Sequence, residues 1–267
     1  MKSSNDNHPP EAVRFSRLKK MALSAAHYAE GFGPETAPMR KGSGLHAYVL
    51  GGEKNVAVYT EGARNPNFAK WKVFQAKNAG KHILIPSELA TVAGMRKSLE
   101  KHPRAMGLLD GIQERRIEWT DGGRACAGTP DVVIPKNGRT IGVELKTCVT
   151  SHPERFVWQC RKMAYHAQCA WYKRGIELCG NYQPAVVDEF FVVVVESAPP
   201  YPVTVFKLDQ ESLEAGAKMN RLWLEQLLVC ERNNHFPAYA ESDVLLSVVE
   251  SETELDWSET ADEGEAA

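Results

Sequence analysis

The 267 residues, 43% hydrophobic and 25% charged, have an ordinary globular composition and enough length for one large domain or two small ones with a sizeable core. No stretch approaches the roughly 20 apolar residues of a membrane span, and the polar start MKSSNDNHPPE has no apolar signal region, so a soluble, unexported, cytoplasmic chain is expected. The net charge of −2 hides a division: ten of the 34 acidic residues and no Lys or Arg lie from Glu241 onward, leaving residues 1–240 with 32 basic against 24 acidic, a net of +8 that suits a polyanionic partner.

In chain order, residues 1–11 read as disordered, and FSRLKKMALSAAHYAEG has helical spacing at Leu18, Met21, Ala22 and Ala25. PETAPMRKGSG reads as a loop, with a helix starting in GSGLHAYVLGG that carries His46 beside Leu45, Val49 and Leu50. A polar helix is predicted between Asn65 and Ala79, and a more amphipathic one over Ser87 to Lys101. The pattern then changes to strands at 113–119, 124–134 and 140–147, separated by the turn formers Asp121-Gly122-Gly123 and Lys136-Asn137-Gly138. A helix over Pro153 to Arg174, a buried strand at 188–197, a second strand VTVFKLD and a helix over Gln210 to Glu231 capped by Asp209 complete the folded part. This order predicts one α/β domain over residues 12–249, with a mixed central sheet flanked by helices, and an acidic disordered tail over 250–267. The six cysteines are scattered with no CxxC pair, which favours buried thiols over a zinc site, a disulfide framework or an iron–sulfur cluster.

The chemistry concentrates in the strand IGVELKT. Its period of two sends Ile141, Val143 and Leu145 to one face and Glu144 and Lys146 together to the other. Upstream, Gly128-Thr129-Pro130-Asp131 places a carboxylate where a paired strand brings it next to Glu144. Two converging carboxylates form a hard-oxygen site suited to Mg²⁺ or Mn²⁺, and the adjacent lysine can orient or help deprotonate the attacking water and offset phosphate charge. An ExK triplet by itself is more simply a surface ion pair; the preceding Pro-Asp at hairpin distance and the apolar strand make it specific.

GTPDVV followed by GVELKT resembles the PD-(D/E)xK nuclease core, the restriction-endonuclease-like fold. RFSRLKKMALSAAHYAEG, KGSGLHAYVLG, YHAQCAWYKRG and FVVVVESAPPYPVTVFKLD resemble segments of the phage exonuclease VIII (RecE-like) family, so the likeness spans roughly residues 13–240. It implies a metal-dependent exonuclease acting on linear duplex DNA from an end, phage or prophage encoded, feeding single strands to an annealing recombinase, with a homo-oligomer plausible by analogy. Asp131 and Glu144 would be the main metal ligands, joined by His46 and the Leu145 carbonyl, with Lys146 catalytic. Glu114 matches an acidic position ahead of the Pro-Asp strand, although Glu118 is near enough for strand register to exchange them. Gln168 and Tyr172 match the Q-x3-Y pattern of RecB-type nucleases, and helical spacing places them on one face with Arg161 and Tyr165, a stripe suited to DNA backbone or a terminal phosphate. Cys126 and Thr129 stand where relatives often carry larger or basic residues. No P-loop is present, so the chain contains no ATP-driven motor motif. The same metal core also serves site-specific or structure-specific endonucleases, and a catalytically silent DNA-binding protein could share the fold.

Overall fold

The computed structural model describes residues 11–33, 35–240 and 242–246; the readings of the acidic tail and of residues 1–11 as disordered lie outside them except at Glu11, whose carbonyl accepts from Arg124 at 2.9 Å. The chain begins with strand β1 (Val13–Arg14) and helix α1 (Phe15–Leu18), then a 3-10 turn over Lys19–Ala22 and helix α2 (Ala25–Glu30), whose N-terminus is capped by Ser24. The first helical segment is therefore broken into short pieces. Helix α3 (Ala37–Val49) occupies much of the segment expected to be loop. The Thr36 hydroxyl accepts from the Met39 N–H, and Pro38 sits in the first turn, where its missing N–H costs nothing. Gly44, inside this helix, packs closely on Leu84: a Cβ there would lie 2.8 Å from a terminal methyl of that side chain, which would have to move.

Strand β2 (Val56–Val58), helix α4 (Ala69–Lys77) and strand β3 (His82–Leu84) form a small parallel two-stranded unit, followed by helices α5 (Pro86–Glu100) and α6 (Pro103–Leu109). The expected strand over 113–119 divides into β4 (Ile112–Gln113) and β5 (Ile117–Asp121), broken at Glu114, which has a left-handed φ of 45°. The expected strand over 124–134 likewise divides into β6 (Arg124–Gly128) and β7 (Val132–Lys136). Thr129 and Pro130 carry the chain from one sheet to another, and proline cannot donate to a ladder.

Both predicted tight turns form: Gly122 and Gly123 join β5 to β6, and Asn137 and Gly138 join β7 to β8 (Arg139–Cys148). All four residues have positive φ, the requirement of a two-residue turn that matches strand twist. The predicted helix over 153–174 is two helices, α7 (Pro153–Met163) and α8 (Tyr165–Leu178), separated by Ala164 at φ 55°. Strand β9 (Val187–Glu196), strand β10 (Val203–Lys207) and helix α9 (Gln210–Asn233) follow as expected, with Asp209 accepting from the Ser212 N–H at 2.7 Å.

The main sheet has the order β10-β9-β8-β7-β4, with β8 and β9 parallel and its other pairs antiparallel; a second sheet has the order β1-β6-β5. The crossover α7–α8 connects the parallel strands, as such a pair requires. Both faces of the main sheet are covered. Val143, Leu145, Phe191, Val193 and Val195 pack toward α3, α5 and α6, whereas Phe190, Val192 and Val194 pack with residues of α8 and α9. This is the mixed α/β architecture flanked by helices that the sequence predicts.

Candidate active site

Alternation along β8 puts Glu144 and Lys146 on the face opposite Val143 and Leu145, where α8 covers the sheet. The polar face anticipated from the sequence is therefore roofed: Glu144 is 1% and Asp131 7% exposed. Asp131 stands just ahead of β7, whose ladder with β8 begins at Val132↔Val143. Its Oδ2 accepts from the Leu145 N–H at 2.7 Å, its Oδ1 is 3.1 Å from His46 Nδ1, and its own N–H approaches Glu144 Oε1 at 3.4 Å. Lys146 Nζ donates to Glu144 Oε2 at 2.5 Å. The N–H and C=O of a strand residue project to the same edge, so the Leu145 carbonyl also faces the Asp131 side, beyond the start of β7.

The four ionisable groups control one another. Burial and the neighbouring Asp131 push Glu144 up to about 7, against the opposing pull of Lys146 and His46. Burial also disfavours a charged Asp131, but His46 and Lys146 outweigh it and hold that carboxyl below its usual value. Burial alone would lower His46; Asp131 overcomes this and raises it. Lys146 is raised above the ordinary lysine value because Glu144 and Asp131 outweigh its desolvation.

Glu114 is exposed and reaches the same cleft, its N–H donating to the Asp131 carbonyl at 3.0 Å. Glu118 lies on β5 in the other sheet, exposed and paired with Arg116. Between the two, Glu114 is the one brought to the cleft. Tyr165 and Gln168 line it, with Lys146 Nζ 5.4 Å from the Tyr165 ring centre. Tyr172 lies behind Gln168, which donates to its hydroxyl at 3.2 Å, and its ring fills the space left by Gly128. Arg161 is not part of this face. The left-handed Ala164 turns α7 away from α8, and Arg161 instead lines a separate groove with Phe156, Phe206 and Lys207.

A family model described as a PDDEXK-like domain of unknown function (DUF3799) matches residues 14–245. The chain belongs to this PDDEXK-like family. A search of curated proteins gave no match. Among solved structures, a candidate exonuclease from Eubacterium rectale is similar with a TM-score of 0.61 at 13% identity, covering 96% of this chain and 99% of that one. At that identity the likeness establishes the fold alone. An alkaline exonuclease from Laribacter hongkongensis matches with a TM-score of 0.31 at 16% identity, covering 70% of this chain and 96% of that one, too distant to carry an argument.

The cleft of this PDDEXK-like domain, about 690 Å³, is also lined by Lys19, Met39, Lys41, Ser43 and His82, none of them singled out from the sequence. The Thr36-Ala37-Pro38 start signal could have revealed that residues 39–43 form a helical wall. Lys19 is half-buried, and burial together with Lys146 and Lys20 lowers its pKa. At Thr129 the basic group comes from elsewhere: Arg14 Nη2 is 3.3 Å from its hydroxyl. Among the described residues, no three His, Cys, Asp or Glu side chains are grouped as a ready ligand cage. The donor set nonetheless fits a hard divalent cation, because two buried carboxylates are held side by side at the cost of a raised Glu144, a cost that a bound cation would relieve. No helix of the described residues is long and apolar enough to cross a membrane.

Proposed function

We propose that this chain is a divalent-metal-dependent deoxyribonuclease that hydrolyses linear duplex DNA from an end. The observation that carries the reading is the contact of two buried carboxylates, Asp131 and Glu144, with His46 of α3 and Lys146 of β8, both of which line the cleft. Asp131, Glu144 and the Leu145 carbonyl, with His46 adjoining, would hold Mg²⁺ or Mn²⁺, which supplies Lewis-acid activation of the scissile phosphate and its attacking water.

The protein's own groups have distinct tasks. Leu145 N–H and His46 fix both oxygens of Asp131, so this carboxylate is oriented before substrate enters. Lys146 is held as a cation by Glu144 and Asp131, which suits it to stabilise charge growing on the phosphate and to orient the water more than to act as a free base. Gln168, positioned by Tyr172, and Tyr165 offer amide and aromatic contacts to the backbone of the strand being cut. Glu114, exposed in the same cleft, would help orient the attacking water. Supply of a single strand to a phage-type annealing partner follows from the RecE-like resemblance and accompanies this reading. The test is degradation of linear duplex with Mg²⁺, with chelator and with covalently closed circles. Linear DNA should disappear only with the metal, and circles should persist; equal rates on both forms would favour an endonuclease.

A further inference from the structure

From Gly62 to Ser87 the chain has no acidic residue and five basic ones, Arg64, Lys70, Lys72, Lys77 and Lys81. These residues span the end of the loop after β2, all of α4 and all of β3. The unit has its own small core: Tyr59 meets Trp71 and Phe74 edge-on at centroid distances of 4.9 and 5.1 Å, and Trp71 and Leu84 are buried. With Trp71 turned inward, Lys70, Lys72 and Lys77 are left exposed on α4, and Lys81 is exposed just before β3. Phe68 and Val73, also exposed, lie among them.

Three features separate this surface from an ordinary solvated helix. The first is the absence of any carboxylate over residues 62–87, whereas exposed cations such as Arg174 and Lys207 face carboxylates, Asp121 and Glu189. Here the one ion pair among the four lysines is Lys70–Glu61, at 4.0 Å between two exposed side chains. The unit is also fastened to the wall of the active cleft. Arg64 makes two 2.7 Å bonds to buried Glu88, which also meets Arg40 of α3 at 3.5 Å, and α3 is the helix that carries His46. Finally the surface is continuous with the cleft, since His82, next to Lys81, lines the cleft with Lys41 and Lys19.

We propose that the β2–α4–β3 unit is a docking surface for the phosphate backbone of the uncut duplex, holding DNA outside the cleft while its end is processed. The inference rests on the nuclease reading for its substrate. Lysine ammonium groups neutralise phosphates without reading sequence, and the exposed Phe68 and Val73 give the flexible lysine stems apolar ground to lie on. Its role is affinity and retention, with no part in bond cleavage.

The experiment replaces Lys70, Lys72, Lys77 and Lys81 together by Gln in the full chain. Binding to linear duplex is read by fluorescence anisotropy in chelator across a salt series, and hydrolysis is read separately with Mg²⁺. All four side chains are exposed, so thermal unfolding should be unchanged. The variant should bind at least about tenfold more weakly, and the slope of log affinity against log salt should fall by roughly one per lysine engaged. Turnover at saturating DNA should equal that of the unaltered chain. Unchanged affinity and salt slope would overturn the proposal, and would also be the outcome if these lysines serve the acidic C-terminal segment instead of DNA. Because binding is measured without cleavage, absence of hydrolysis by the unaltered chain would count against the nuclease reading and leave the docking result interpretable.

Discussion

The Leu145 N–H donates to Oδ2 of Asp131 at 2.7 Å, a bond across the gap where β7 has not yet begun to pair with β8. The carboxylate is thus fixed by backbone. Asp131→Asn can keep an acceptor for Leu145 while losing the negative charge. It should fold with little change in thermal midpoint, fail to bind Mg²⁺ in calorimetric titration, and hydrolyse linear duplex roughly a hundredfold or more slowly. Near-normal hydrolysis by a folded Asp131→Asn would remove this residue from the site.

A second expectation concerns pH. Burial and Asp131 raise Glu144 to about 7, and Asp131 raises His46 as well, so part of the protein carries protons on groups that can ligate only after losing them. Affinity for Mg²⁺ should therefore rise with pH through neutrality, by up to about tenfold per unit for each proton released, with proton release on binding. Calorimetry in buffers of different ionisation enthalpy reads the released protons directly. Affinity independent of pH, with no proton release, contradicts the assignment of Glu144 as a ligand.

The site was legible where chemistry is local in sequence. The alternation in IGVELKT, the Pro-Asp dipeptide and the Lys136-Asn137-Gly138 turn sufficed to pair β7 with β8 and to bring Asp131 to Glu144. Legibility failed where one residue changes the backbone direction. Ala164 in a left-handed conformation divides a continuous helical pattern, and nothing in its identity signals that, so Arg161 was placed on a face it does not share. The coverage of the Glu144 face by α8 was equally hidden, because strand periodicity says which side chains share a face and not what packs on it. Lys19, Lys41 and His82 reach the cleft through tertiary contacts between distant segments, which no local spacing encodes.

Glu88 should matter to stability more than an average surface acid. Burial would raise its pKa, but its bonds to Arg64 and the Ile85 N–H more than reverse this, leaving the folded value below the ordinary one. A depressed carboxyl stabilises the fold above its unfolded pKa, and the contribution is lost as pH falls through the folded value. Glu88→Gln should cost roughly 3 kcal/mol in urea unfolding at pH 7, since Arg64 keeps the Ile83 carbonyl but loses the opposite charge that offsets its burial. The gap from the unaltered protein should narrow in acid; an equal gap at pH 7 and in strong acid would show that the ion pair is not its source.

At Gly128 an added Cβ would sit 2.8 Å from the Tyr172 ring. Gly128→Ala must displace that ring and with it the hydroxyl that holds Gln168. The substitution should destabilise the fold by roughly 1–3 kcal/mol through overpacking. It should also raise the KM for linear duplex while leaving Mg²⁺ affinity unchanged, because the carboxylates do not move. A loss of metal affinity equal in fold to the rise in KM would mean that the two walls of the cleft are not separable in this way.

Lys146 offers the sharpest separation of roles, because its ammonium has two jobs that pH can pull apart. It lies 2.5 Å from Glu144 Oε2 and lowers that carboxyl's otherwise higher pKa; it also stands where charge would grow on the phosphate. Lys146→Met keeps much of the aliphatic stem and removes the charge. Without the cation, burial and Asp131 act on Glu144 less opposed, so the pH at which Mg²⁺ binds half-maximally should move upward. Raising pH or metal concentration should restore metal occupancy, as measured by calorimetry. Turnover at full occupancy should still lie roughly a hundredfold or more below that of the unaltered chain, because the stabilising charge is gone from the reaction itself. If saturating metal at high pH restores full turnover, Lys146 acts only by tuning Glu144. If Lys146→Met is folded and keeps normal turnover at every pH, the strand β8 is not where the reaction takes place.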